Sequence, residues 1–124
     1  MTPLVLSSIV LITLALVFYS VGVWSERIAR RLKGWHAWFF WLGLVCDVVG
    51  TLLMVELAGG FKATTHGITG MAAILLMGLH AVWATVVLVQ RSERALLNFH
   101  KFSLVVWTLW LFPYFTGLWL GMKP

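Results

Sequence analysis

The chain has 124 residues, of which 61% are hydrophobic and only 10% are charged, and its mean hydropathy is +0.96. A soluble domain of this size would need far more polar surface, so the composition excludes a water-soluble globular protein. The formal net charge of +5 does not indicate nucleic-acid binding, because the basic residues cluster at the ends of apolar runs. Cys46 is the only cysteine, which argues against an intramolecular disulfide and against c-type haem attachment through a CxxCH motif.

Four apolar segments follow one another along the chain, each near the ~20 residues that a helix needs to cross a bilayer. They run over about 4–24, 35–57, 66–90 and 96–122. The connections between them are short, so consecutive helices are expected to be antiparallel neighbours. The sequence therefore predicts an all-α protein, with one transmembrane domain over 1–124 built as a four-helix up-down bundle.

The first segment carries no histidine, and it begins without the basic residues of a signal peptide. We therefore expect this segment to be retained in the protein and to serve as a packing helix.

The second segment places five residues on one helical face, because their spacing from His36 is close to whole numbers of turns. They are His36, Gly43, Asp47, Gly50 and Met54. The two glycines leave room either for a flat cofactor or for a closely packed helix. Ionisable groups in hydrocarbon are unfavourable and usually face the bundle interior, so His36 and Asp47 are candidate functional residues.

The third and fourth segments carry the other histidines. His66 and His80 are 14 residues apart on the third segment, a spacing that returns to nearly the same helical face about 21 Å along the axis. One helix that offers two imidazoles at two depths is what a membrane b-type cytochrome needs. The fourth segment carries a stripe at helical spacing, which comprises His100, Ser103, Trp107 and Tyr114.

Bis-histidine ligation of haem b needs two imidazoles that face each other across the ring. Depths are measured from the helix ends next to the first and third loops, which are predicted below to be cytoplasmic. On this scale His36 lies about 2 Å, His100 about 6 Å and His80 about 15 Å into the bundle. His80 with His100 is the first predicted pair of axial ligands, and His36 with His100 is the rival pair. Asp47, about 17 Å deep, is expected to accept a hydrogen bond from His80 or to relay protons, with Tyr114 in a similar supporting role.

His66 falls on the other side of the membrane from the remaining histidines. It would ligate a second haem only with a partner at its own depth, for which Met54 and Tyr114 are the nearest candidates. Alternatively, His66 is an interfacial or capping residue, or it lines a quinone pocket or an electron entry site. The sequence thus predicts one haem b, and a second haem if His66 has such a partner.

The distribution of basic residues predicts the orientation. The first loop, 25–34, and the third loop, 91–95, hold most of them, whereas only Lys62 and Lys123 fall on the other side. Cytoplasmic loops carry an excess of lysine and arginine, so we expect both termini to lie outside the cytoplasm.

Several stretches resemble a known family. ALVFYSVGVWSER, WLGLVCDVVGTLLM, HGITGMAAILLMGLHAVWATVVL and FHKFSLVVWTLWLFPYFTGLWLGM are similar to the small bacterial membrane proteins of the HsmA family, over nearly the whole chain. The resemblance implies four helices in the bacterial inner membrane. The spacing of His66 and His80 also resembles that of four-helix di-haem b-type cytochromes, which exchange electrons with quinones or superoxide.

The leading hypothesis is therefore a membrane cytochrome that binds haem b and transfers electrons to or from a quinone or a small oxidant. The first alternative is a non-haem metal site at which His36, His80, His100 and Asp47 converge. The second alternative is an accessory or assembly subunit without a cofactor, whose histidines hydrogen-bond between helices. The expected partners are the lipid bilayer, a quinone or redox protein and further copies of the chain, with no nucleic acid.

Overall fold

A computed structural model describes residues 3–61 and 63–122, including all side chains in these ranges except those of 118 and 120–122. It contains four helices, α1 (Pro3–Ala29), α2 (Gly34–Leu57), α3 (Thr65–Gln90) and α4 (Glu93–Met122), and no strand in the described ranges. All four helices are long and apolar enough to cross a membrane. The prediction of an all-α bundle of four transmembrane helices is confirmed. Lys62 and Lys123, used above to predict the orientation, lie outside the described residues.

Two helix boundaries differ from the prediction by more than one residue. The first helix continues to Ala29, five residues beyond the end of its apolar run, and the fourth helix begins at Glu93. The continuation of α1 brings Glu26, which was assigned to a loop, into a helix and into the bundle interior. Apolar runs identify the part of a helix that contacts lipid, whereas a helix continues through charged residues of good helix propensity such as Arg27.

The helices form a ring in chain order. Each helix contacts its two neighbours, and among the described residues no backbone contact crosses the diagonals between α1 and α3 or between α2 and α4. The contacts of α1 with α2 and of α3 with α4 are the most extensive. The bundle is thus composed of two helical hairpins that pack side by side.

Glycines allow the close approach of α1 and α2. A Cβ atom at Gly43 would lie 2.5 Å from the Tyr19 ring, and one at Gly50 would lie 2.9 Å from Ile12. On α1, a Cβ atom at Gly22 would lie 2.7 Å from the Phe40 ring. Of the two uses considered for the glycines of α2, helix packing is therefore the correct one, because side chains of α1 fill the space beside them.

The two ends of the bundle differ in charge and in construction. We refer to the end formed by residues 30–33 and 91–92 as the basic end. There Arg31 pairs with Glu93 at 2.5 Å, and the N–H of Leu32 donates to the carbonyl of Leu96 at 3.0 Å. These two contacts attach the first loop to the beginning of α4. The opposite end carries the connection between α2 and α3, in which Gly59 and Gly60 adopt positive φ angles of 80° and 131°.

Candidate functional site

Buried ionisable side chains gather in the half of the bundle next to the basic end. Glu26 of α1, His36 of α2 and His80 of α3 have no exposed surface, and neither has Ser103 of α4. His100 of α4 is partly exposed, but its Nδ1 atom is buried. We refer to these five residues as the inner cluster. Each of the four helices contributes one ionisable group to it.

The antiparallel register of α1 and α2 sets Glu26 level with His36. Tyr19 packs against Gly43, and Gly22 packs against Phe40. One further turn on each helix toward the basic end leads to Glu26 on α1 and to His36 on α2. The tight glycine contacts of this helix pair therefore bring a carboxyl group and an imidazole to the same depth on neighbouring helices.

His36 also forms a hydrogen bond with the backbone at the start of its own helix. Its Nδ1 atom accepts the N–H of Lys33 at 3.0 Å, so the side chain caps the first turn of α2. A neutral imidazole has one N–H and one acceptor nitrogen. Because Nδ1 is the acceptor, the proton lies on Nε2, which is buried and has no hydrogen-bond partner. In this state Nε2 of His36 is a hydrogen-bond donor and has no lone pair for a metal ion.

Ser103 links a histidine to a carboxyl group. Its hydroxyl oxygen lies 2.7 Å from Nε2 of His80, in a fully buried hydrogen bond between α3 and α4. The same hydroxyl lies beside the carboxyl group of Glu26, whose two oxygens make no well-aligned hydrogen bond. A hydroxyl group donates one hydrogen bond and accepts others, so Ser103 can serve both neighbours at once.

Aromatic rings surround His80 on its remaining sides. The centroid of its ring lies 4.3 Å from that of Phe40, 5.2 Å from that of Phe99 and 5.7 Å from that of Phe102. The Phe99 ring stacks on the imidazole at an interplanar angle of 28°. A flat cofactor beside His80 would have to displace these rings from a close-packed interior.

Five buried polar atoms lack a partner, and all belong to the ionisable members of the inner cluster. Among the side chains that the structure describes, these are the only such atoms: Oε1 and Oε2 of Glu26, Nε2 of His36, Nδ1 of His80 and Nδ1 of His100. Buried polar groups are almost always hydrogen-bonded, because an unpaired one is unfavourable in a medium of low polarity. Such atoms at one end of the bundle mark a candidate site for a proton, water or a ligand.

Asp47 forms a second, separate polar site. Its Oδ2 atom accepts hydrogen bonds from the Tyr19 hydroxyl at 3.1 Å and from Nε1 of Trp110 at 2.8 Å. Asp47 makes no hydrogen bond with His80 in this structure, where Nε2 of His80 bonds to Ser103. Tyr114 stacks on Trp110 with ring centroids 5.5 Å apart and so supports this site by packing.

His66 lies at the opposite end and packs against α4. Thr116 donates its single hydroxyl proton to the carbonyl of Pro113, so its oxygen accepts the Nδ1–H of His66 at 3.1 Å. A Cβ atom at Gly117 would lie 3.0 Å from the His66 ring. His66 thus joins α3 to α4. Of the two residues considered as its partners in haem ligation, Met54 is exposed and Tyr114 stacks on Trp110.

The predicted convergence of His36, His80, His100 and Asp47 on a metal ion is not found. Among the described residues, no three histidine, cysteine or acidic side chains come close enough to hold one. Four members of the polar sites were not predicted as site residues, among them Trp110, which donates to Asp47. Glu26 and Tyr19 belong to α1, which was expected only to pack, and Ser103 was noted without a partner. Glu26 follows Tyr19 and Gly22 by seven and four residues, a helical spacing that could have identified it.

Comparison of the chain with protein-family models, with curated proteins and with solved structures gives no match. The geometry of the two polar sites is therefore the basis for assigning a function.

Proposed function

We propose that this chain is a proton-binding membrane protein, in which the inner cluster takes up and releases a proton through the basic end of the bundle. One observation carries the proposal. Three buried ionisable side chains and a partly exposed fourth, one from each helix, lie at the same end, and five of their buried polar atoms make no well-aligned hydrogen bond. Ionisable residues within a membrane bundle commonly mark proton relays or ion pathways.

The side chains of the cluster supply a route for the proton. His80, the Ser103 hydroxyl and the Glu26 carboxyl follow one another, and a hydroxyl passes a proton by donating one while accepting another. His36 presents an N–H group at the depth of Glu26. A proton on Glu26 removes the unfavourable burial of an unpaired carboxylate, and a proton shared with an imidazole has the same effect.

His100 connects the cluster to the surface. It is the one partly exposed member, and Arg27, Arg30 and Lys101 lie close enough to act on its charge. Ser103 lies one turn deeper on the same helix. We expect water at the basic end to exchange protons with the cluster through His100.

The row of polar side chains in the inner cluster stops inside the bundle and does not continue across the membrane. Trp110, which bonds to Asp47, lies seven residues beyond Ser103 on α4, or about 10 Å along the helix axis. The buried side chains between these levels include Met77 and Val106, which are apolar. We therefore expect reversible protonation from one face, without steady conduction of protons through the bundle.

Infrared difference spectroscopy tests the proposal. The protein in lipid nanodiscs is taken from alkaline to acidic pH, and the band of a protonated carboxyl group is followed. We expect a band that Glu26→Gln removes, whereas Glu56→Gln, which changes an exposed carboxyl group on α2, leaves it unchanged. A band that persists in Glu26→Gln and disappears in Asp47→Asn would assign the proton to the other site and refute the proposal.

A second substitution tests the route. Ser103→Ala removes the hydroxyl between His80 and Glu26, so the carboxyl band should appear more slowly after a rapid pH change. Thr108→Ala is the matched control, because its hydroxyl lies on the exposed face of the same helix and donates to the carbonyl of Leu104. Equal rates in both variants would remove Ser103 from the route.

Binding of haem b, with electron transfer to a quinone or small oxidant, is the second candidate function. It is favoured by the positions of His36 and His100 near one end of two diagonal helices, each with a buried ring nitrogen that makes no well-aligned hydrogen bond. Ligation by His36 would require its ring to release the Lys33 N–H, and ligation by His80 would require movement of Phe40 and Phe99. Bound haem would supply one-electron chemistry, while the chain would supply axial imidazoles.

An absorption spectrum separates the two candidates. Protein from haem-replete cells is recorded oxidised and dithionite-reduced, with a pyridine haemochrome assay for haem per chain. The haem proposal expects a low-spin reduced spectrum that single alanine variants of His36, His80 or His100 abolish, with His66→Ala as the comparison. A colourless protein, or a coloured one that none of these variants affects, would remove this candidate.

A further inference from the structure

One face of α4 carries two shallow, open grooves that follow one another along the helix, the first polar and the second apolar. The first lies at the basic end, has a volume of about 530 Å³ and is lined by Ser92, Arg94, Ala95, Asn98 and Lys101. The second has a volume of about 270 Å³ and is lined by Leu104, Val105, Thr108 and Leu109. Residues 94, 98, 101, 105 and 108 alternate in steps of four and three, so the grooves share one helical face.

The polar groove is cationic and offers hydrogen-bond donors. Arg94 and Lys101 carry its charge, and no acidic side chain lines it. The nearest acid in sequence, Glu93, is paired with Arg31 of the first loop. Ser92 accepts the N–H of Ala95 at 3.5 Å, so its own hydroxyl proton is free to donate. An arginine fork, an ammonium group and a hydroxyl are donors that suit a phosphate group.

The second groove is apolar despite its threonine. The Thr108 hydroxyl donates to the carbonyl of Leu104 at 2.7 Å, so its proton is used within the helix. Val105 and Leu109 are more than half exposed on this face. The surface that remains is hydrocarbon, which matches an acyl chain.

The length of the combined groove matches one leaflet. From Arg94 to Leu109 the helix rises by about 22 Å, which is about half of the 40–45 Å between the two surfaces of a bilayer. We infer that this face of α4 binds one anionic phospholipid of the leaflet at the basic end. The phosphate contacts Arg94 and Lys101, and an acyl chain lies along the groove between Leu104 and Leu109.

Native mass spectrometry tests the inference on the intact chain released from detergent with added phosphatidylglycerol or phosphatidylcholine. We expect one phosphatidylglycerol to be retained in preference to phosphatidylcholine. The double variant Arg94→Gln/Lys101→Gln should weaken retention of phosphatidylglycerol by roughly 10–30-fold, since each cation near an anionic headgroup contributes about 1 kcal/mol. The double variant Lys33→Gln/Arg91→Gln removes the same charge from the same end outside the groove, and it should change retention less than twofold.

A substitution in the apolar groove tests the acyl part separately. Val105→Trp fills the groove without a change in charge and should weaken retention of both lipids, whereas Val89→Trp, on an exposed face of α3, should not. Equal retention of the two lipids by the unmodified chain would overturn the inference. So would equal losses in the two charge variants, or a second copy of the chain that occupies this face in place of lipid.

Discussion

At the scale of single residues, the clearest contrast is between the carboxyl groups of Asp47 and Glu26. Both are buried in a bundle that crosses the membrane, but Asp47 has two donors, Tyr19 and Trp110, whereas the oxygens of Glu26 have no well-aligned partner. A satisfied buried polar group helps to specify one arrangement of the core, whereas an unsatisfied one needs a further explanation, such as a bound proton, water or ligand. The contrast is consistent with a structural role for Asp47 and with the proton-binding role proposed above for Glu26.

This contrast predicts the effect of substitutions at Asp47. Asp47→Ala leaves the Tyr19 hydroxyl and the Trp110 N–H unpaired in the interior, so it should lower the free energy of unfolding by about 1–3 kcal/mol for each group. Asp47→Asn keeps an acceptor oxygen and should lose less. Thermal or detergent-induced unfolding of the purified variants measures both, with Glu56→Ala as an exposed control. Equal stability of Asp47→Ala and the unmodified chain would contradict the structural role.

Sequence reasoning located the interior histidines but not their partners. Helical spacing and the rarity of ionisable groups in apolar segments placed His36 and His80 inside the bundle, and both are buried. The hydrogen bond of His36 to its own helix end depends on ring rotation, and that of His80 depends on the register of α3 against α4. Neither is encoded in the period of one helix, so the haem pairings stay predictions.

At the scale of the helices, the close contact between α1 and α2 depends on glycines of one helix against which side chains of the other helix pack. Gly43→Ala places a methyl group 2.5 Å from the Tyr19 ring, so the helices must separate or Tyr19 must move away from Asp47. Overpacking of this kind should lower the free energy of unfolding by about 1–3 kcal/mol. Gly78→Ala is the matched control, because open space surrounds this glycine on α3.

Unfolding of the two glycine variants under identical conditions gives the measurement. Alanine is favoured over glycine within a helix by roughly 0.5–1 kcal/mol, so Gly78→Ala should be neutral or slightly stabilising. Similar stabilities for both variants would mean that the contact of Gly43 with Tyr19 does not limit the helix separation. The sequence alone left two uses of Gly43 open, because a small residue predicts free space on its helix but does not reveal what fills it.

At the scale of the whole molecule, the number and span of the helices could be predicted because each apolar run is long enough to cross a bilayer. The helix ends could not be predicted in the same way, since α1 continues five residues past its apolar run. This error placed Glu26 in a loop and removed it from the candidate site. A chain-order ring of antiparallel helices followed from the short loops, and the structure contains it.

The excess of basic residues in the first and third loops predicts that the basic end of the bundle faces the cytoplasm. In a Cys46→Ser background, Ser92→Cys places a thiol at the basic end, and Ala63→Cys places one at the opposite end. An impermeant thiol reagent should label the second variant in intact cells and the first only after the membrane is permeabilised. Labelling in the reverse pattern would put the basic end, with the entrance to the inner cluster, outside the cytoplasm.

The pairing of the helices into two hairpins has a consequence for biogenesis. The most extensive helix contacts are those between the two helices of each hairpin. The connection between the two hairpins contains Gly59 and Gly60, and no other atoms crowd these glycines. The halves can therefore insert one after the other and dock laterally within the lipid. Two separately expressed fragments that divide between these glycines should assemble into the same complex, and the inner cluster would exist only after they meet, because each fragment supplies two of its four ionisable groups.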